Sequence, residues 1–168
     1  MTQAQALTIL KTGANVFLTG EPGAGKTFVI NQYVSHLKAC GVEVAITAST
    51  GIASTHIGGM TIHSWSGIGV REMLTPQDLD KIASSEYISR RVRRAKVLVI
   101  DEISMLGPNT IDMVDMVCKE VRQNTEAFGG LQVVFIGDFF QLPPIEKRKW
   151  NEDDQSELFE DEVAPRPR

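Results

Sequence analysis

The chain has 168 residues, with 17 Lys and Arg against 21 Asp and Glu and a formal net charge of -4. That length suits one domain of ordinary size, and the acidic balance excludes attachment to nucleic acid through bulk positive charge, leaving room only for a local groove. The two cysteines, Cys40 and Cys118, stand far apart and in no CxxC pattern, which argues against a disulfide framework or a zinc site and for a reducing compartment. Helical spacing of Ala, Leu and Ile predicts a short helix within residues 1–12, and Asn15–Thr19 is an apolar run that reads as a buried strand. Lys26–Cys40 has Phe28, Val29, Tyr33, Val34 and Leu37 at helical spacing and stops at Gly41. Val42–Thr47 is a second strand, and residues 49–70, rich in Gly, Ser and Thr, read as a working loop region with short helices. Leu74–Arg94 predicts one or two polar helices, with Thr75 as N-cap and Pro76 at the first helical position. Lys96–Asp101 is a third strand, Asn109–Val121 an amphipathic helix, and Leu131–Gly137 a fourth strand.

Strands alternating with helices predict an α/β domain whose mainly parallel sheet is covered on both faces. This domain is expected to occupy residues 1–145. The remainder differs: residues 146–162 hold eight acidic and three basic residues, and the chain closes on Pro-Arg-Pro-Arg168. That composition predicts a disordered linker, or the start of a second domain, over 146–168. No apolar run approaches the roughly 20 residues of a membrane span. The first residues lack the basic and apolar regions of a secretory signal, so an intracellular protein without membrane attachment is expected.

Gly20-Glu-Pro-Gly-Ala-Gly-Lys-Thr27 matches GxxxxGK[ST] between a predicted strand and a predicted helix, the context that makes the pattern a phosphate-binding loop. The candidates for nucleotide contact are therefore Gly20, Glu21, Pro22, Gly23, Ala24, Gly25, Lys26 and Thr27. Glycines let the backbone N–H groups approach phosphates, Lys26 reaches the β- and γ-phosphates, and Thr27 offers a hydroxyl to Mg²⁺. The third strand ends in Asp101-Glu102, which reads as a Walker B pair: Asp101 for Mg²⁺, Glu102 for polarising the attacking water. After the fourth strand, Asp138 and Gln141 lie beyond the carboxyl end of the sheet, where open α/β sheets bind ligands. Gln141, donor and acceptor at once, suits contact with a γ-phosphate.

GEPGAGKT, TASTGIAS, GGMTIHSWSGIG, VLVIDEISML and VFIGDFFQLPPI follow one another here. In this order they resemble the Pif (petite integration frequency) family of superfamily 1B DNA helicases, relatives of the RecD and TraA type enzymes, over about residues 1–145. The resemblance implies a RecA-like P-loop NTPase domain, ATP and Mg²⁺ as ligands, single-stranded DNA and duplex junctions as partners, and 5′-to-3′ movement. It gives Gln3 an adenine-reading role, with Gln5 as a rival, and Gln141 a place in motif III. It also gives DNA contacts to Thr50, Thr61 and His63. Trp65 either stacks on a base or packs in the core, and His63 has the same two readings; His36 and His56 receive no role. Arg90, Arg91, Arg93 and Arg94 read as a solvated helix face, with DNA-backbone contact as the second reading. Family members carry a second RecA-like domain that supplies an arginine finger, and no arginine here matches it. The chain is thus expected to be the first motor domain, hydrolysing ATP slowly by itself. A nucleotide-gated loader ATPase, with its arginine from a neighbouring subunit, is the alternative; a degenerate scaffold is disfavoured by intact Lys26, Thr27, Asp101 and Glu102.

Overall fold

The computed structural model describes residues 1–21, 23, 25–51 and 59–138. Its elements run α1 (Gln3–Lys11), β1 (Val16–Thr19), α2 (Lys26–Ala39), β2 (Val44–Ala48), β3 (Met60–Thr61), α3 (Ile62–Ser66), α4 (Pro76–Ser84), α5 (Glu86–Arg94), β4 (Val97–Asp101), α6 (Pro108–Arg122) and β5 (Gln132–Gly137). Short 3₁₀ turns at Ile103–Met105 and Ala127–Gly130 flank α6. Every strand predicted from the sequence is present. The two-residue β3 falls inside the stretch read as loop.

The sheet is parallel throughout, in the order β1-β5-β4-β2-β3. Strand side chains alternate between two cores, as the period of two requires. Val97, Val99, Val134 and Ile136 meet Leu10 of α1 and Val29, Tyr33 and Val34 of α2 on one face. Leu98, Ile100 and Val133 meet α3, α4, α5 and α6 on the other. The continuous apolar runs of β4 and β5 follow from this double covering. The expected RecA-like α/β arrangement with helices on both faces is what the chain adopts over its described residues.

Local chemistry sets the breaks. Thr75 caps α4 and Pro76 opens it, as predicted, with a reciprocal Thr75–Asp78 capping box. Ser85 ends α4 and caps α5, accepting from the Ile88 N–H, which splits the predicted 74–94 segment into two helices. On α6 the buried side chains are Met113, Val114, Val117, Cys118 and Val121. Burial and the neighbouring Asp115 charge push the Cys118 thiol up to about 12, so it behaves as an inert core residue, while Cys40 is exposed. Among the described residues no helix is long and apolar enough to cross a membrane. The acidic stretch 146–168 lies outside the described residues.

Candidate nucleotide site

Parallel strands deliver their C-terminal ends to one rim, and the loops that leave this rim build the site. The β1–α2 turn leads from Thr19 into Lys26, and Gly25 caps α2 with φ +84. That left-handed conformation costs a side-chain-bearing residue, and space forbids one independently. A Cβ on Gly25 would lie 2.0 Å from the Gln3 side-chain nitrogen. The first turn of α2 carries no acidic residue, so its N–H groups and dipole present unopposed partial positive charge. Lys26 Nζ donates to Gly20 O at 2.7 Å and to Gly137 O at 3.2 Å, bridging the turn and the end of β5.

A cavity of about 500 Å³ opens at this point, lined by Gly23, Gly25, Lys26, Thr27, Asp101 and Glu102, with Phe28, Ile136, Gly137 and Asp138 completing it. The structure thus brings Gly23, Gly25, Lys26 and Thr27 to one wall with the acidic pair Asp101 and Glu102. Thr27 and Asp101 offer a hydroxyl and a carboxylate, hard oxygen donors of the kind Mg²⁺ takes beside phosphates. Asp101 Oδ1 accepts the Glu102 N–H at 2.7 Å. Glu102 adopts φ 52, ψ 46, a strained backbone for a non-glycine residue at a strand end. Asp138, 8% exposed, sits where β5 ends. Gly20 is half-buried and Glu21 exposed; Pro22, Ala24 and Gln141 lie outside the described residues.

The two glutamines of α1 separate by local bonding. Gln5 is used by the helix itself: its Oε1 accepts from Thr2 N and its N–H donates to Thr2 Oγ1, a capping box. Gln3 is the one that lies against Gly25 of the phosphate loop.

The residues read as DNA contacts gather at the same rim. Thr61 is paired in register with Ala48, one residue before Ser49 and two before Thr50. Thr50 is exposed, whereas Thr61 is half-buried and accepts the Ser64 N–H as N-cap of α3. His63, on α3, is half-buried, and burial holds its imidazole below the usual histidine range. At neutral pH it is a neutral donor and acceptor rather than a cation. Trp65 departs from the base-stacking reading: at 3% exposure it is part of the core under α3, as aromatic burial favours.

The arginine run is corrected at Arg91 alone. Arg90, Arg93 and Arg94 are exposed, as a solvated face requires. Arg91 instead donates through Nε to Trp65 O at 2.8 Å and through Nη2 to Ser64 O, tying α5 to α3. Arg93 Nε donates to Val121 O at 3.2 Å, satisfying a C-terminal carbonyl of α6.

Sequence reasoning missed three contributors. Phe28, counted among the apolar positions of α2, is 53% exposed and faces the cavity. Gly137 contributes its carbonyl to Lys26 from 111 residues away. Ser49 donates to Glu102 Oε2 at 3.4 Å. Only Phe28 had a local signal, because it stands one residue past the Lys-Thr pair that opens α2.

The PIF1-like helicase family model matches residues 2–160. The chain is 55% identical over 148 residues to the ATP-dependent DNA helicase Pif1 of Psychrobacter, covering 88% of this chain and 22% of that protein. The crystal structure of Pif1 helicase from Candida albicans superposes with a TM-score of 0.80 at 37% identity, covering 85% of this chain and 33% of that one. A Pif1 helicase from Bacteroides, in complex with ADP-AlF3 and single-stranded DNA, superposes with a TM-score of 0.74 at 34% identity, covering 94% and 37%. The chain spans about a fifth of the length of the Psychrobacter relative. With a family model running nearly end to end over the sheet and over the loops that line the cavity, the chain belongs to the PIF1-like helicase family.

Proposed function

We propose that this chain is the first motor domain of an ATP-dependent DNA helicase moving 5′ to 3′ on single-stranded DNA, acting inside the cell. One observation carries the reading: Lys26, Thr27, Asp101 and Glu102 share a single cavity at the N-terminus of α2. The α2 N–H groups and the glycine turn take the phosphate chain of ATP. Lys26 exchanges its two carbonyls for β- and γ-phosphate oxygens. Thr27 and Asp101 hold Mg²⁺, which when bound would neutralise charge on those oxygens. Glu102 accepts a proton from the attacking water and orients it. Gln3 reads the adenine edge, and Gln141 senses the γ-phosphate. The polarity and these last two roles rest on the family resemblance, as do the DNA contacts of Thr50, Thr61 and His63. The catalytic arginine comes from a second RecA-like domain outside this chain, so turnover by the chain alone is slow, by a factor on the order of 10³–10⁵.

Glu102→Gln tests the assignment. The variant is expected to bind ATP-Mg²⁺ with unchanged affinity and to lose turnover by at least about 100-fold, the usual weight of a general base. Turnover surviving in Glu102→Gln removes Glu102 from the reaction and returns the cavity to nucleotide binding alone.

A further inference from the structure

We infer that Ser49 is a positioning residue that couples the DNA-facing end of β2 to the Glu102 carboxylate. The inference rests on the proposed reading of Glu102 as the residue that activates water and of Thr50 as a contact to the DNA strand.

The coupling follows from register. β2 and β4 are parallel neighbours, with Ala48 opposite Asp101, so the next residues on each strand, Ser49 and Glu102, leave the sheet side by side. Ser49 N donates to Asp101 O at 3.2 Å, fixing its backbone to β4. Its Oγ donates to Glu102 Oε2 at 3.4 Å, and the residue is 8% exposed. The Glu102 backbone is itself fixed. It is held in a left-handed conformation, with its N–H on Asp101 Oδ1 and its carbonyl accepting from Met105 N. With the backbone pinned, the carboxylate moves only by side-chain rotation, and the Ser49 hydroxyl favours one of the available positions.

Ser49 is followed directly by Thr50 and Gly51, both exposed at the rim and next to the β3–α3 segment that carries Thr61 and His63. A phosphate backbone gripped at Thr50 acts on Ser49 through one peptide bond. The Ser49–Glu102 contact is at the long limit of a hydrogen bond, so a displacement of a few tenths of an ångström breaks it. The serine therefore restrains Glu102 until a strand is bound, and strand binding releases the carboxylate toward the water.

The test compares ATP turnover with and without single-stranded oligothymidylate in the protein at its full natural length. Ser49→Ala keeps the backbone bond to Asp101 and removes only the hydroxyl. It is expected to raise DNA-free turnover roughly five-fold, the weight of one weak hydrogen bond to a charged group. The stimulation by DNA then falls by a similar factor, while ADP affinity and the melting temperature stay at their wild-type values. Ser49→Thr, which keeps a hydroxyl, is expected to restore the stimulation ratio. An unchanged ratio in Ser49→Ala overturns the inference, and so does a parallel fall of both rates. Glu102→Gln in the same assay separates the two levels. If it abolishes turnover while Ser49→Ala leaves the ratio intact, only the coupling fails. If Glu102→Gln retains turnover, the underlying reading fails first.

Discussion

Lys26 and Arg122 both satisfy a cation with backbone carbonyls, and the comparison separates a site from a clasp. Lys26 bonds Gly20 O and Gly137 O on the wall of a cavity of about 500 Å³. Arg122 donates through Nε to Gly129 O at 2.8 Å and through Nη1 to Val92 O, Arg93 O and Ala95 O at 2.9–3.2 Å. These last carbonyls close the C-terminal end of α5, where unsatisfied acceptors and the negative end of the helix dipole both favour a cation. Arg93 returns the contact to Val121 O of α6, so the two helix ends hold each other. A guanidinium locked between packed helices has nothing to exchange its carbonyls for. An ammonium beside open space can trade them for phosphate. The contact type is the same, and the neighbouring volume determines what it does.

The largest expected effect breaks the comparison on the cavity side. Lys26→Ala should weaken ATP-Mg²⁺ binding by about 100-fold, the loss of two charge-assisted bonds to phosphate, read by equilibrium titration. Its melting temperature should stay close to wild type, because the lysine bridges a turn and not the core. Arg122→Ala should do the reverse. It leaves four carbonyls without their donor and should cost about 2–3 kcal/mol in a denaturant melt, with ATP affinity unchanged. Loss of nucleotide binding in a folded Arg122→Ala protein would show that the clasp and the site are not independent.

The smallest effect sharpens the comparison at the rim. Burial lowers the His63 pKa in the folded protein below its unfolded value of 6.5. The folded state then binds fewer protons than the unfolded state just below pH 6.5, so stability falls as pH drops from there through the folded pKa. His63→Gln should flatten this acid-side loss in melts between pH 7 and 5. A wild-type profile in the variant would place the titration elsewhere.

The fold was legible in the sequence where the signal is local. The glycine turn between β1 and α2, the apolar runs of β4 and β5, and the Thr75-Pro76 helix start each depend on neighbours within a few residues. The site was legible for the same reason, since Lys26, Thr27, Asp101 and Glu102 sit at strand and helix ends that periodicity locates. What stayed hidden depends on separation. Arg91 and Arg122 reach carbonyls 26 to 30 residues away, and a run of four arginines cannot reveal which guanidinium turns inward. Ser49 becomes relevant only once Ala48 is known to stand opposite Asp101. Trp65 was ambiguous because a Gly- and Ser-rich surrounding gave no hint that α3 would bury it. The choice between Gln3 and Gln5 was readable in principle, because Thr2-x-x-Gln5 is a capping-box pattern that commits Gln5 to its own helix.

ATP turnover by this chain, measured with and without single-stranded DNA across a range of protein concentrations, tests the central claim most directly. Slow turnover, independent of concentration and accompanied by clear ADP binding, is the result expected of a motor domain whose catalytic arginine lies in another domain. Fast turnover that rises steeply with concentration would contradict it, because copies of this chain would then be completing one another's sites as a self-assembling ATPase does.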